Sequence, residues 1–190
     1  MPTWSFVRHG ESIANAQQWF AGHSDAPLTE RGRAQAEALR EVLRPLALDR
    51  VLCSDLARAR DTCAIAMGGR SLPTEHSDAL RERNCGTWER RTLADLEHTG
   101  DLALLADFEG QPPGGESLRA VTRRVLTFLA AREVDHGHTL VVAHGAMMRG
   151  VLGTIDGLGR DGIASWRLAN CEVVTRELPR GRLAAILATL

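Results

Sequence analysis

The run Thr139-Leu140-Val141-Val142-Ala143 constrains the fold more than any other stretch of the chain. Five residues that are apolar or β-branched, without polar alternation, describe a strand covered on both faces, and such strands belong to sheets packed between helices. The run leads directly into His144-Gly145 and a helix-compatible segment from Ala146 to about Ile155. The order recurs. Thr3 to Val7 leads into Arg8-His9-Gly10-Glu11, and Arg50-Val51-Leu52-Cys53 leads into a helix over Leu56 to Met67, with Ser54 or Asp55 available as its cap and Gly68-Gly69 as its stop. Repeated strand-then-helix order predicts an α/β fold with a mostly parallel central sheet and helices on both faces.

The other segments fill in around that pattern. Glu11 to Phe20 is short and helix-compatible, and Ala21 to Pro27 is a loop by composition. Thr29 caps a helix from Glu30, in which Leu39, Val42, Leu43 and Leu46 form one apolar stripe. Leu72 to His76 reads as a further strand, and Leu80 to Glu89 as an ordered loop. From Arg90 to Gly115 the pattern weakens to short helices over Leu93 to Glu97 and Leu102 to Phe108, a segment suited to covering a pocket. Ser117 caps a helix whose Leu118, Val121, Val125, Phe128 and Leu129 share a face. Glu172 to Leu178 and Leu183 to Leu190, flanking Pro179-Arg180-Gly181-Arg182, predict a C-terminal hairpin at the sheet's edge, which could pair in a homodimer.

With 190 residues and neither internal repeat nor linker, residues 1–190 are expected to form a single domain. Its 23 basic residues are balanced by 24 acidic ones, so no nucleic-acid partner is expected. No apolar run reaches the roughly 18 residues a membrane span needs, and the N-terminus lacks the pattern of a signal peptide, so a cytoplasmic enzyme is expected. Cys53, Cys63, Cys85 and Cys171 lack C-x-x-C spacing and read as reduced thiols; the histidines likewise suggest no metal site. The tryptophans other than Trp88 read as core, as do Met147 and Met148, while Trp88 could wall a pocket.

If the three strands are parallel, Arg8-His9, Ser54 with Arg58, and His144-Gly145 converge at one crevice outside their carboxyl ends. Arg58 would stand in a helix's first turn, where a cation opposes the macrodipole unless an anion lies nearby. The helix after His144 offers free N–H groups, and Gly145 lets a ligand approach them. Arginines, histidines and a helix N-terminus suit a phosphoryl group. A histidine kept neutral by neighbouring cations can attack phosphorus and form a phosphohistidine that water later hydrolyses. The leaving alkoxide then needs a proton. Glu82 is the candidate donor, with Asp78, Glu89 and Glu116 also available.

Taken together, Arg8-His9-Gly10-Glu11, Asn15, Pro27-Leu28-Thr29 with Gly32, Ser54-Asp55-Leu56-Ala57-Arg58-Ala59 with Thr62, Leu80-Arg81-Glu82 with Gly86 and Trp88-Glu89, Gly115-Glu116-Ser117, and His144-Gly145 resemble the histidine phosphatase superfamily, also called phosphoglycerate mutase-like. The matches run in order from residue 3 to about 152. The resemblance implies a three-layer α/β/α sandwich, His9 as nucleophile, and Arg8, Asn15, Arg58 and His144 as the phosphate pocket, with Gly145 beside it. It also implies Glu82 as proton donor, no metal and no cofactor. Ala21-Gly22 stands where mutases of the family usually have Thr-Gly, and Cys85 where they have Tyr, which favours a metal-independent phosphomonoesterase of a small phosphorylated metabolite. A phosphoglycerate-type mutase and a non-catalytic phospho-ligand binder are the alternatives. Ala21, Gly22 and Trp88 are the candidate substrate contacts. Arg90-Arg91 follows Trp88-Glu89 where many small phosphatases have Gly, so the two arginines either make the pocket mouth basic or are simply solvated.

Overall fold

The computed structural model describes residues 1–190, the side chain of Ala106 excepted. In chain order the elements are β1 (Thr3–Arg8), α1 (Ile13–Ala16), α2 (Glu30–Leu43), β2 (Arg50–Ser54), α3 (Ala57–Met67) and β3 (Thr74–Ser77). After two single 3-10 turns come α4 (Leu93–Thr99), α5 (Leu102–Ala106), α6 (Leu118–Ala130), β4 (His138–Ala143), α7 (Gly145–Ile155), α8 (Arg160–Ser165), β5 (Val173–Glu177) and α9 (Arg182–Thr189). The sheet order is β3-β2-β4-β1-β5, with the first four strands parallel and β5 antiparallel to β1. The apolar run of β4 therefore occupies the sheet's centre, where both faces are covered.

Strand alternation splits that run between two cores. Leu140 and Val142, with Val7, Val51 and Cys53, pack against Leu39 and Leu43 of α2 and Ala59, Cys63 and Met67 of α3. Val141 and Ala143, with Trp4, Phe6 and Leu52, pack against Val121, Val125 and Leu129 of α6 and Met147, Met148 and Val151 of α7. Each such side chain fully withdrawn from water contributes about 1.5–3 kcal/mol, enough to hold the strand ends in place. Helix starts follow local chemistry: Thr29 Oγ1 accepts from Gly32 N at 3.0 Å, and Ser117 Oγ from Ala120 N at 3.0 Å. Among the described residues, no helix is long and apolar enough to cross a membrane.

Several local expectations are corrected. Leu183 to Leu190 is not the second arm of a hairpin but helix α9, whose Leu183, Ile186, Leu187 and Leu190 follow a three-to-four spacing and face the α6 side of the core. Glu133 accepts from Gly181 N and Leu183 N at 2.8 Å each and anchors the start of α9. β5 remains an edge strand, paired with β1 alone. Val42 lies outside the stripe of α2 and is 54% exposed. Neither Ser54 nor Asp55 is the cap of α3; the cap position is Leu56, and Asp55 instead pairs with Arg81 at 2.7 and 2.5 Å. The short helix α8 carries no strong sequence period.

Candidate active site

Arg8 ends β1 and His144 follows β4 directly, so the pairing of these parallel strands brings His9 and His144 together, ring centroids 5.2 Å apart. His9 N donates to Ala143 O at 2.9 Å, continuing the ladder one residue past the strand. Gly10 then turns away, its N–H donating to Thr62 Oγ1 at 2.9 Å while Thr62 donates to Arg58 O at 2.7 Å. A Cβ on Gly10 would lie 2.4 Å from Gly32 O, so the close crossing of these two backbones requires glycine.

The tautomer of His9 follows from its partner. Nδ1 lies 2.7 Å from Gly10 O, which can only accept, so Nδ1 carries the proton and Nε2 is left with a lone pair. Burial, then Arg58, then Arg8 push His9 well below its ordinary value, which keeps it neutral. Burial, followed by Arg58 and His9, does the same to His144. Both rings are almost wholly enclosed, at 3% and 0% exposure. The Nδ1 of His144 and the Nε of Arg8 are buried without partners, two polar atoms with capacity to spare for a ligand.

Arg58 is 2% exposed in the first turn of α3, and its guanidinium donates to Ser24 O at 3.1 Å and Gly22 O at 2.8 Å. Those bonds fasten the 21–25 loop over the site. Gly22 takes φ +49, and a Cβ there would meet Glu89 Oε1 at 2.4 Å and Cys85 N at 2.9 Å. Asn15 Oδ1 accepts from Ser12 N at 3.1 Å and from Asn170 Nδ2 at 3.3 Å, which identifies it as the oxygen and leaves the Asn15 amide nitrogen to donate elsewhere. Arg8 donates to Leu168 O at 2.7 Å. Gly145 lies against Arg8, where a Cβ would stand 3.1 Å from its Nε.

Glu82 changes one expectation. Its Oε1 accepts from Arg83 N at 2.9 Å and Met147 N at 2.8 Å, and its Oε2 from Ala146 N at 3.0 Å. The amides at positions 146 and 147 of α7 are thus occupied by a carboxylate of the chain, not free for a ligand, because a carboxylate is itself the anion a helix N-terminus favours. Oε2 accepts one such bond against two for Oε1, so it has the greater remaining capacity. Glu89 and Glu116 are engaged elsewhere: Glu116 with Arg124, and Glu89 with His23 N and Ser24 Oγ. Asp78 is absent from the lining of the cavity into which Glu82 opens.

That cavity measures about 1110 Å³ and takes in Arg8, His9, Asn15, Ala21, Gly22, Arg58, Glu82, Trp88 and Gly145. Trp19, Trp166, Leu168, Arg149 and Arg167 line it as well. Trp19 corrects its reading as core, being partly exposed and walling the cavity; Trp166, also partly exposed, packs against the α6–α7 core and walls the cavity as well, whereas Trp4 is 1% exposed and Met147 and Met148 are fully buried. Arg90 and Arg91 do not line it. Arg90 sits 5.8 Å over the Trp19 ring, and Arg91 bonds Asp95 O and Thr99 Oγ1 and lies 3.6 Å from Asp101. Asn170, missed by sequence reasoning, bonds both His9 O and Asn15, and no local pattern marks it. Among the described residues, no group of three or more His, Cys, Asp or Glu is placed to hold a metal ion.

Residues 4–188 match the model of the histidine phosphatase superfamily, branch 1. The chain belongs to the histidine phosphatase superfamily. This member is 40% identical over 144 residues to the adenosylcobalamin/alpha-ribazole phosphatase of Salmonella typhimurium, covering 73% of this chain and 71% of the relative. It is 35% identical over 179 residues to a 2,3-bisphosphoglycerate-dependent phosphoglycerate mutase of Cytophaga hutchinsonii, covering 89% and 84%. In structure this histidine phosphatase resembles mycobacterial glucosyl-3-phosphoglycerate phosphatase solved with VO3, with TM-score 0.82, 28% identity, and coverage of 91% and 90%. The alpha-ribazole phosphatase of Shigella flexneri superposes with TM-score 0.83 at 28% identity, covering 94% and 91%. The chain has the α/β fold of its structural neighbours and belongs to a family whose typical mechanism uses a histidine nucleophile.

Proposed function

We propose that this phosphatase hydrolyses phosphomonoesters through a phosphohistidine on His9, with no metal in the cycle. The observation that carries this reading is the Nδ1 bond to Gly10 O, which presents a neutral Nε2 lone pair between two arginines. Arg8, Arg58, the free amide of Asn15 and Nδ1 of His144 receive the phosphoryl oxygens and hold their charge as it redistributes. Nε2 forms a bond to phosphorus as the ester P–O bond breaks. The leaving oxygen takes a proton from Glu82, carried on Oε2. Water then attacks the phosphohistidine, returns a proton to Glu82 and releases phosphate, restoring His9.

Three backbone donors, Arg83 N, Ala146 N and Met147 N, fix the Glu82 carboxyl at the start of α7, in the lining of the cavity. The relatives carry the names of phosphatases for dissimilar leaving groups, so selection lies beyond this shared pocket. The test is incubation with a radiolabelled phosphomonoester in chelator, followed by an alkaline quench. Acid-labile, alkali-stable label on the wild type, absent from His9→Ala together with phosphate release, is expected. Full turnover by His9→Ala would refute the proposal, and isomerised phosphoglycerate without free phosphate would identify a mutase instead.

A further inference from the structure

The cavity extends well past His9, and along that extension one cation lacks any partner. Of the arginines lining the cavity, Arg8 donates to Leu168 O and Arg58 to Ser24 O and Gly22 O. Arg83 donates to Glu116 O and Gly110 O, and Arg167 to Ala164 O and Trp166 O. Among the described residues, Arg149 takes part in neither a hydrogen bond nor an ion pair, and its Nε is buried and unsatisfied. Leaving a buried donor such as this Nε unpaired is costly, and a group entering the cavity beside it can relieve that cost. Burial and neighbouring Arg167 both disfavour its charged form, so the local field calls for an anion.

Arg149 lies on α7 four residues after Gly145, a separation of about 6 Å along the helix axis. Gly145 borders Arg8, so Arg149 stands about one helical turn farther along α7, in a cavity that Trp166 and Leu168 also line. We propose that Arg149 is the specificity residue that receives a carboxylate on the leaving group of the substrate. A guanidinium presents two parallel N–H donors in a plane, the match for the two oxygens of a carboxylate. The basic second subsite is thus assigned to a residue of α7, not to the Arg90-Arg91 pair.

This assignment rests on the phosphatase reading above, and the experiment separates the two. 3-Phosphoglycerate and glycerol 3-phosphate share a carbon skeleton and differ in carboxylate against hydroxymethyl; p-nitrophenyl phosphate serves as a reference without a carboxylate. Wild type is expected to favour 3-phosphoglycerate over glycerol 3-phosphate at least 10-fold in kcat/KM. Arg149→Met removes that preference with a 10- to 100-fold loss on 3-phosphoglycerate, while p-nitrophenyl phosphate changes less than about 3-fold, and Arg149→Lys recovers part of the loss. Equal losses on all three substrates, or no preference in wild type, would overturn the assignment. Calorimetric binding of 3-phosphoglycerate and glycerol 3-phosphate to His9→Ala gives the same comparison without turnover. Discrimination there that depends on Arg149 supports the subsite even if hydrolysis fails, and binding that ignores Arg149 rejects it.

Discussion

Ser54 Oγ lies 2.8 Å from Nε2 of His144, with both residues fully buried. Leu56 N–H donates to the same oxygen at 3.3 Å, and among the described residues Nε2 is the acceptor within reach of the hydroxyl proton, so the hydroxyl is paired when it donates to Nε2. That places the imidazole proton on Nδ1, the unpartnered atom of His144, where a phosphoryl oxygen can accept it. In Ser54→Ala the tautomers should mix and kcat should fall roughly 10-fold, equivalent to about 1.4 kcal/mol. Nitrogen-15 NMR of the ring reports the cause directly: a wild-type His144 protonated on Nε2 would contradict the arrangement.

Glu82→Gln separates proton donation from helix capping. A Gln side chain retains one acceptor oxygen, so at least one backbone N–H loses its carboxylate partner, at a cost of about 1–3 kcal/mol of stability measurable by urea unfolding. Turnover of an alkyl phosphate should fall about 10²–10⁴-fold. p-Nitrophenyl phosphate, whose leaving group needs no proton, should lose much less. An equal loss on both esters would assign Glu82 to structure alone.

The two buried histidines make folding stability depend on pH. Their folded values lie well below the ordinary 6.5, so below pH 6.5 the unfolded chain binds protons that the folded chain does not. Their contribution is neutral above 6.5 and unfavourable beneath it, growing by up to about 1.4 kcal/mol per pH unit per histidine until the folded values are reached. Urea midpoints should therefore fall between pH 6.5 and 5, with a shallower slope in His144→Gln. Identical slopes in both proteins would exclude His144 as a source.

Gly32→Ala tests the backbone crossing beside the His9 loop. In an ordinary helix interior the change stabilises by about 0.5–1 kcal/mol. Here the new Cβ would lie 2.0 Å from Glu11 O and 2.9 Å from Glu11 C, both backbone atoms that Thr29 N and the Glu11-Gln35 bond hold in place. Overpacking costs about 1–3 kcal/mol and outweighs the propensity gain, so the melting temperature should drop. A rise would show that α2 can shift freely against the His9 loop. The same crossing gives Glu11 its role, since its carboxylate accepts from Thr29 Oγ1 and Arg31 and ties the start of α2 to that loop.

The amino-acid sequence by itself determined the strand ends that meet at the candidate site. Val141 and Val142 demand cover on opposite faces, and a strand with that demand has to lie inside a sheet between helices, which brings Arg8-His9, Arg58 and His144 to one edge. What local pattern could not decide was set by contacts distant in the chain. α9 is a helix because Leu183 and Ile186 find the face of α6 and β5 is already paired with β1; Glu82 occupies α7 because residues 64 and 65 positions later offer it free amides. Trp19, Trp166 and Arg149 become cavity residues only once α7, α8 and the α1 loop stand around a common space. Periodicity records which side of an element is apolar, whereas the partner of a polar group depends on where the whole chain brings its donors and acceptors.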